Sequence, residues 1–166
     1  MSTMDYKKYI DNIKDFPKEG IMFRDIQPLL ANGKVFESAI DEMGNLIKER
    51  PKYWIGLESR GFLFASALAI RFGGGVRLIR KPGKLPNQTK SIIGYNLEYN
   101  SDIMEFGIYN DTMGEGTCVI VDDVYATGGT METAVKLCET QGLQIIDKLC
   151  LIDIGIKKGH DVKCLI

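Results

Sequence analysis

Length, composition and charge limit the functions that this chain can have. It has 166 residues, of which 45% are hydrophobic and 26% are charged, which is typical of one globular domain. Its 21 Lys and Arg residues face 22 Asp and Glu residues, so the formal net charge is -1 and no basic excess exists for binding a nucleic-acid backbone. The longest notable apolar stretch, residues 61–70, is far shorter than the roughly 20 residues that span a bilayer, and we expect a soluble protein with no membrane partner.

The N-terminal residues and the cysteines predict a cytoplasmic location. Residues 1–13 mix charged and apolar side chains and show no apolar segment followed by a small-residue cleavage site. The single histidine, His160, lies in a polar turn, where we expect a surface residue and not part of a zinc site or a catalytic triad. Four cysteines lie in apolar segments without any CxxC pair, as expected of reduced thiols that pack as small hydrophobes: Cys118, Cys138, Cys150 and Cys164.

In chain order, hydrophobic periodicity first predicts an amphipathic helix that carries Tyr6, Tyr9, Ile10 and Ile13 and stops before Pro17. The later predicted elements are helices at 34–48, 61–72 and 130–141, strands at 53–57, 76–80, 91–99, 103–109, 117–121, 143–154 and 162–166, and a polar, mobile loop at 81–90. Apolar strands that alternate with helices predict an α/β fold, with a mostly parallel, twisted sheet flanked by helices.

The most informative segment is Val119-Ile-Val-Asp-Asp-Val-Tyr-Ala-Thr-Gly-Gly-Thr130, which reads as a buried strand, a short turn and a helix start. Ligands of open α/β sheets bind at such strand ends. The two glycines let backbone N–H groups approach a phosphate, and the helix start adds unpaired donors and a favourable dipole. The turn is therefore predicted to bind phosphate, although its spacing fits neither a P-loop nor a dinucleotide fingerprint. A plain strand–turn–helix connection capped by Thr130 is the structural alternative.

Two adjacent carboxylates, Asp122 and Asp123, favour the functional interpretation of this turn. Carboxylates at the end of an apolar strand are costly to bury unless they meet hydroxyls, cations or water. The vicinal hydroxyls of a ribose would satisfy both of them. A phosphate-binding turn one step away from two acceptors fits a ribose 5-phosphate.

The same segment resembles the signature with which type I phosphoribosyltransferases bind phosphoribosyl pyrophosphate (PRPP), and its Ala126–Thr130 form is similar to the adenine phosphoribosyltransferase version. The resemblance continues in order from about Phe16 to Gly159. Its further blocks are a base-pocket segment, Phe16-Pro-Lys-Glu-Gly-Ile-Met-Phe-Arg-Asp-Ile-Gln-Pro28, a pyrophosphate loop, Gly56-Leu-Glu-Ser-Arg-Gly-Phe62, and a catalytic loop, Leu78-Ile-Arg-Lys-Pro-Gly-Lys-Leu-Pro86 with Tyr95-Asn-Leu-Glu-Tyr99.

This resemblance implies the type I phosphoribosyltransferase fold as a single domain, with residues 1–33 forming a small hood over a core of residues 34–166. It also implies a homodimeric purine salvage enzyme that transfers the 5-phosphoribosyl group of PRPP to adenine, giving AMP and pyrophosphate, with Mg²⁺ bound mainly through PRPP and water. A phosphoribosyltransferase for another purine base is one alternative. A PRPP-binding regulator without catalysis is another, but the chain has no room for an added DNA-binding segment.

The resemblance also assigns the site residues. PRPP would be bound by Asp122, Asp123, Ala126, Thr127, Gly128, Gly129 and Thr130, its pyrophosphate by Ser59, Arg60, Arg80 and Lys84, and adenine by Met22, Phe23, Arg24 and Val124. The family has a non-proline cis peptide at the bond that corresponds to Glu58–Ser59, although many members carry Asp where this chain has Glu58. We interpret Lys81 and Lys90 as solvated, and we expect Phe23 and Arg24 in a loop with little strand structure, where the Phe23 ring would stack on the purine.

One departure bears on the choice of base. Phosphoribosyltransferases for 6-oxopurines typically carry an aspartate at the position of Ala126, where it handles the N7 proton. Without that carboxylate, the resemblance offers Glu98 as the acid–base group, and Arg60 as the second catalytic residue. Tyr95 and Tyr99 lie in the loop that would close over the site.

Overall fold

We describe a computed structural model of the chain, which covers residues 4–86, 90–97, 100–107 and 114–166. The N-terminal segment contains a 3₁₀ helix (Tyr6–Tyr9), β1 (Asp11–Lys14), β2 (Met22–Asp25) and α1 (Gln27–Ala31). The remaining elements are α2 (Gly33–Asn45), β3 (Tyr53–Leu57), α3 (Gly61–Phe72), β4 (Gly75–Arg80), β5 (Lys90–Leu97), β6 (Asn100–Gly107), β7 (Gly116–Tyr125), α4 (Gly129–Thr140), β8 (Leu143–Asp153) and β9 (Lys163–Cys164).

Seven strands form the central sheet in the order β5-β6-β4-β3-β7-β8-β9. The strands from β4 to β9 in this order are parallel, whereas β6 pairs antiparallel with both β4 and β5. The predicted α/β class with a mostly parallel sheet is therefore confirmed. Because parallel strands point the same way, the ends of β3 and β4 lie at one edge, beside the stretch of β7 that follows Val121.

Alternate residues of the central strands pack in two apolar cores, one on each face of the sheet. Trp54 packs on the face that carries α2 and α3, together with Phe64 and Leu68. The next residue, Ile55, packs on the opposite face with Leu137 of α4. Both cores are almost inaccessible to solvent, so the sheet is a rigid support for whatever its carboxyl edge carries.

The N-terminal segment differs from the sequence prediction in two places. The expected first helix is wrong, since residues 6–9 form a single 3₁₀ turn and residues 11–14 form β1. The prediction of a loop around Phe23 and Arg24 is also wrong, because both lie in β2. The reason in both cases is the antiparallel pairing of β1 with β2, which extends the backbone where the local pattern suggested a helix or a loop. Buried Tyr6 docks this segment on α2, where its hydroxyl lies 2.7 Å from Ser38 Oγ and donates to Glu42 Oε1.

Most core elements lie where the sequence predicts them. The strand at 53–57 and the helix at 61–72 are confirmed, while β7 runs four residues beyond its predicted end at Val121. The extension arises because β7 continues to pair with β8 as far as Tyr125 and Asp153. Among the described residues, no helix combines the length and apolarity needed to cross a membrane.

Two smaller expectations have different outcomes. The cysteines are free, and Cys118, Cys138 and Cys150 are buried in apolar surroundings as predicted. His160, predicted as a surface turn residue, lies in a turn but is not a surface side chain. Its ring centroid lies 4.3 Å from that of Tyr125 and its Nε2 lies 3.1 Å from Asp153 Oδ2, because the turn between β8 and β9 folds back over the end of β7.

Candidate active site

A cavity of about 450 Å³ opens at the carboxyl edge of the sheet, between the ends of β3, β4 and β7 and the start of α4. It is lined by Glu58, Ser59, Arg60, Arg80, Lys81, Pro82, Ile103, Met104, Asp122, Asp123 and Thr130. Six residues predicted for PRPP binding thus share one cavity, although they come from three separate stretches of the sequence. Lys81, interpreted as solvated, is exposed but also lines this cavity.

The paired aspartates lie inside β7, close to its carboxyl end. Oδ1 of Asp122 accepts a hydrogen bond from the Asp123 amide at 2.8 Å, and Oδ2 of buried Asp123 lies 2.7 Å from Nε of Arg60. Burial, and then the neighbouring charge of Asp123, raise the pKa of the Asp122 carboxyl well above its usual range. Two carboxyl groups face the cavity and Arg60 pairs closely with one of them, so the site is prepared for a ligand that supplies hydroxyl donors or positive charge.

The start of α3 packs directly on these aspartates and requires a glycine. A Cβ added to Gly61 would lie 2.7 Å from the Val121 carbonyl oxygen and 3.2 Å from Asp122 Oδ1. This close approach brings the Glu58–Arg60 loop, with its cis Glu58–Ser59 peptide bond, to the edge of the cavity.

Arg60 joins the core of the site to the N-terminal segment. Besides approaching Asp123, it donates from Nη1 to the Arg24 carbonyl at 3.0 Å, and its guanidinium lies 4.8 Å from the centre of the Phe23 ring. The sequence resemblance assigns Arg60 to pyrophosphate, and in this structure its guanidinium contacts the Asp123 carboxylate and the Arg24 carbonyl. Arg60 therefore couples β2 to β7 across the mouth of the site.

A second ion pair lies on the other side of the cavity. Oε2 of Glu58 accepts hydrogen bonds from Arg80 Nε at 3.1 Å and from the Lys81 amide at 2.6 Å. Although burial acts to raise the pKa of Glu58, the Lys81 amide and the Arg80 guanidinium outweigh it and lower that pKa. In the sequence, Glu58 stands out only as a departure from the family pattern. Its contact with Arg80 was not predicted, because strand pairing rather than sequence proximity brings the two residues together.

The turn before α4 has the geometry expected of a phosphate-binding turn. The helix starts at Gly129, its N-cap is Gly128 in the left-handed region with φ of 91°, and no side chain of the described residues caps it. The alternative with Thr130 as the cap is wrong, because Thr130 lies within the first turn. The first amides of α4 are therefore open to an anion, and Thr130 lines the cavity beside them.

The predicted base-pocket residues separate into two groups. Phe23 packs edge-on against Phe16, with ring centroids 5.1 Å apart, and faces Arg60. The Arg24 side chain points away from it, donates to Asn12 Oδ1 and lines a second cavity of about 270 Å³. Strand alternation explains the difference, so the backbone of Arg24, rather than its side chain, adjoins the main site.

The remaining predicted residues are not among those that line this cavity, or they lie outside the described residues. Partly buried Val124 lies near the end of β7, and exposed Met22 begins β2. Lys84 is exposed in the turn after β4, and Tyr95 lies on β5. Glu98 and Tyr99, the proposed acid–base residue and one loop tyrosine, lie outside the described residues.

Comparison with known proteins identifies the class that this fold and site define. The family described as "Phosphoribosyl transferase domain" matches residues 26–166. This range includes α1, the whole central sheet and every residue that lines the main cavity. The fold is that of a phosphoribosyltransferase, and the chain belongs to this family.

Comparison with individual proteins shows which phosphoribosyltransferases this chain resembles. The chain is 44% identical over 159 residues to the adenine phosphoribosyltransferase of Carboxydothermus hydrogenoformans, covering 95% of this chain and 92% of that protein. The enzyme of the same name from Thermotoga maritima is 40% identical, with 100% and 99% covered. Among solved structures, the adenine phosphoribosyltransferase of Thermoanaerobacter pseudethanolicus matches with a TM-score of 0.86 at 37% identity, covering 98% and 97% of the two chains. The chain belongs to the adenine phosphoribosyltransferases.

Proposed function

We propose that this protein transfers the 5-phosphoribosyl group of PRPP to N9 of adenine, giving AMP and pyrophosphate in purine salvage. One observation carries the proposal: Asp122 and Asp123, the Ser59–Arg60 loop and Thr130, in the first turn of the uncapped helix α4, share one cavity at the carboxyl edge of the sheet. PRPP carries phosphate groups at both ends of its ribose. Its hydroxyls would bind the aspartates, and its phosphates would bind the start of α4 and the Ser59–Arg60 loop.

PRPP would lie along this edge. The turn from Ala126 to Thr130 would bind the 5-phosphate through its open amides and threonine hydroxyls. Asp122 and Asp123 would accept hydrogen bonds from the ribose hydroxyls. At the far end the pyrophosphate would meet four groups predicted to bind it: Ser59, Arg60, Arg80 and Lys84.

The chain's own residues fit a Mg²⁺ ion bound mainly through the substrate. Among the described residues, no group of three or more His, Cys, Asp or Glu side chains could hold a metal by itself. Asp122 and Asp123 nevertheless present carboxylates to the cavity, where they could hold water molecules of a hydrated ion. The ion, when bound, would supply positive charge that stabilises the leaving pyrophosphate.

Adenine would bind on the Arg60 side of the cavity. Phe23 would stack on one face of the purine, Val124 would cover the other, and backbone groups of β2 near Met22 and Arg24 would bind its edge. Support comes from the Saccharomyces cerevisiae adenine phosphoribosyltransferase, solved with D-2,5-dideoxy-2,5-imino-altritol 1,6-bisphosphate and adenine, which matches with a TM-score of 0.85 at 31% identity and covers 98% of this chain and 97% of that one.

The reaction requires the protein to stabilise positive charge on the anomeric carbon and negative charge on the leaving pyrophosphate. As pyrophosphate leaves, the anomeric carbon becomes positive, and Asp122 and Asp123 would stabilise it. The leaving group needs positive charge, which Lys84 and the guanidinium groups of Arg60 and Arg80 would supply. Glu98 would manage the purine proton, and the segment with Tyr95 and Tyr99 would close over the reacting atoms to exclude water.

We also propose a cytoplasmic homodimer that forms through α3. This helix exposes a stripe of apolar side chains, with Leu63 46% exposed and Ile70 91% exposed, and half-buried Ala67 lies between them. An apolar stripe of this kind is more stable when covered by a second copy. Four free thiols fit a reducing compartment.

Turnover of PRPP with each free purine tests the proposed function. We expect adenine, with Mg²⁺, to give a kcat/KM far above those of hypoxanthine, guanine and xanthine, because Ala126 removes the 6-oxopurine carboxylate. Equal or better use of hypoxanthine would favour the alternative, a phosphoribosyltransferase for another base. PRPP binding without turnover of any base would favour a regulator.

A further inference from the structure

A buried carboxylate that has no role in the proposed function lies beside the pyrophosphate end of the site. Glu105, on β6, is only 2% exposed. In the antiparallel register Glu105 lies directly opposite Arg80 of β4, so both side chains leave the same face of the sheet. A carboxylate this deeply buried must gain enough from its contacts to offset the loss of hydration.

One contact of Glu105 reaches the loop that follows β4. Its Oε1 accepts a hydrogen bond from the backbone amide of Gly83 at 3.0 Å. Gly83 adopts a φ of 78°, a conformation that favours glycine, and the next residue is Lys84. The amide that Glu105 holds is therefore one residue away from a cation predicted to bind pyrophosphate.

Glu58 holds the same loop from the opposite side. Its Oε2 accepts from the Lys81 amide at 2.6 Å, two residues before Gly83. Two carboxylates from β6 and from the end of β3 thus bind alternate amides of one short segment. With both contacts made, the path of residues 81–83 and the starting point of the Lys84 side chain are fixed relative to the sheet.

We infer that Glu105 is a positioning residue for pyrophosphate, acting through Gly83 on Lys84 and through the paired strand on Arg80. The inference rests on the proposed function, which assigns Lys84 and Arg80 to the pyrophosphate group. A loop that is already held in place loses less conformational freedom when an anion binds, so its cations bind more tightly. Hydrogen bonds to charged groups are strong enough that losing one weakens binding roughly ten- to a hundredfold.

The test compares two ligands that differ in the group concerned. AMP would occupy the regions that bind the 5-phosphate, the ribose and the base. Inorganic pyrophosphate would occupy only the region near Arg80 and Lys84. Replacing Glu105 by Leu removes the acceptor, and Glu105→Gln keeps a neutral one. We expect Glu105→Leu to weaken pyrophosphate binding, measured as product inhibition and by calorimetry, at least tenfold, and to raise KM for PRPP, while the Kd for AMP changes less than about twofold. Glu105→Gln should lie between Leu and the wild type.

A matched control is Asp147→Asn, which changes a partly buried carboxylate paired with Lys163 on the other flank of the sheet. We expect it to leave the ratio of pyrophosphate to AMP affinity unchanged.

Equal losses of affinity for AMP and pyrophosphate in the Glu105 variants would overturn the inference, as would unchanged pyrophosphate binding. If the Leu variant does not fold, the same ratio measured in Glu105→Gln decides the question. A wild-type protein that binds neither PRPP nor pyrophosphate would refute the proposed function itself, which makes the two failures distinguishable.

Discussion

The Arg60 guanidinium and the Asp123 carboxylate form an ion pair across the mouth of the site, with Nε 2.7 Å from Oδ2. The same guanidinium donates to the Arg24 carbonyl of β2 and lies over the Phe23 ring. One side chain therefore connects β7, whose aspartates we propose to bind ribose, to β2, which we propose to cover the base. If both proposals hold, we expect binding of ribose and binding of base to be coupled.

The first prediction tests that coupling. Arg60→Lys keeps the positive charge but loses the planar fork that contacts Asp123 and the Arg24 carbonyl together. We expect kcat/KM to fall at least tenfold for PRPP and for adenine alike, since each lost charge-assisted hydrogen bond contributes about 1.5–3 kcal/mol. Steady-state kinetics with either substrate varied provides the measurement. A loss confined to PRPP would show that Arg60 acts on pyrophosphate alone, as the sequence resemblance implied.

The second prediction concerns the aspartate pair. Asp122→Asn combined with Asp123→Asn replaces both carboxyl groups in the cavity by amides of nearly the same size. We expect an intact fold by circular dichroism and a strong decrease in kcat/KM for PRPP with Mg²⁺, because the amides are poorer acceptors for ribose hydroxyls and cannot offset positive charge. A folded double variant with unchanged kcat/KM for PRPP would show that the pair is structural.

The third prediction concerns Glu98, the carboxylate proposed to handle the purine proton. Glu98→Gln keeps the size and hydrogen-bonding reach of the side chain but removes its acid–base capacity. General acid–base catalysis contributes about 10²- to 10⁴-fold, so kcat should fall by a factor in that range. PRPP affinity measured by direct binding should change little. Near-normal single-turnover chemistry would indicate instead that Glu98 only holds the closed loop through a hydrogen bond.

The fourth prediction concerns the exposed face of α3. Ile70→Asp places a charge in the apolar stripe that we propose as the dimer interface, and it should shift the protein toward monomer in light scattering after size-exclusion chromatography. Ile156→Asp is the matched control, because Ile156 is also an exposed isoleucine, 62% accessible, but lies in the turn after β8. If both variants keep the oligomeric state of the wild type, α3 is not the interface.

The local sequence pattern was sufficient to predict those helices and strands whose hydrophobic residues recur as their burial in the fold requires. Residues 53–57 form the predicted strand, which is buried along its whole length, and residues 61–72 form the predicted helix, which packs one apolar face in the core. The Asp122–Thr130 segment stays a predicted PRPP site. Its adjacent carboxylates are costly to bury without partners, and Asp122, Asp123 and Thr130 do line the cavity.

The tertiary structure decided what depends on strand pairing and on side-chain direction. Ile13 continues the helical spacing of Tyr6, Tyr9 and Ile10, but residues 11–14 form a strand, because pairing with β2 satisfies their backbone groups. Arg60 was predictable as a site residue, but its contacts with Asp123 and with the Arg24 carbonyl arise only when β2 is brought over the sheet. Glu58 and Glu105 are 47 positions apart in sequence and hold the same loop, since β4 lies between β3 and β6 in the sheet. The chemical groups at the site follow from the residues of the chain, whereas the order of strands in the sheet, set by burial of both its faces, controls which of those groups come into contact.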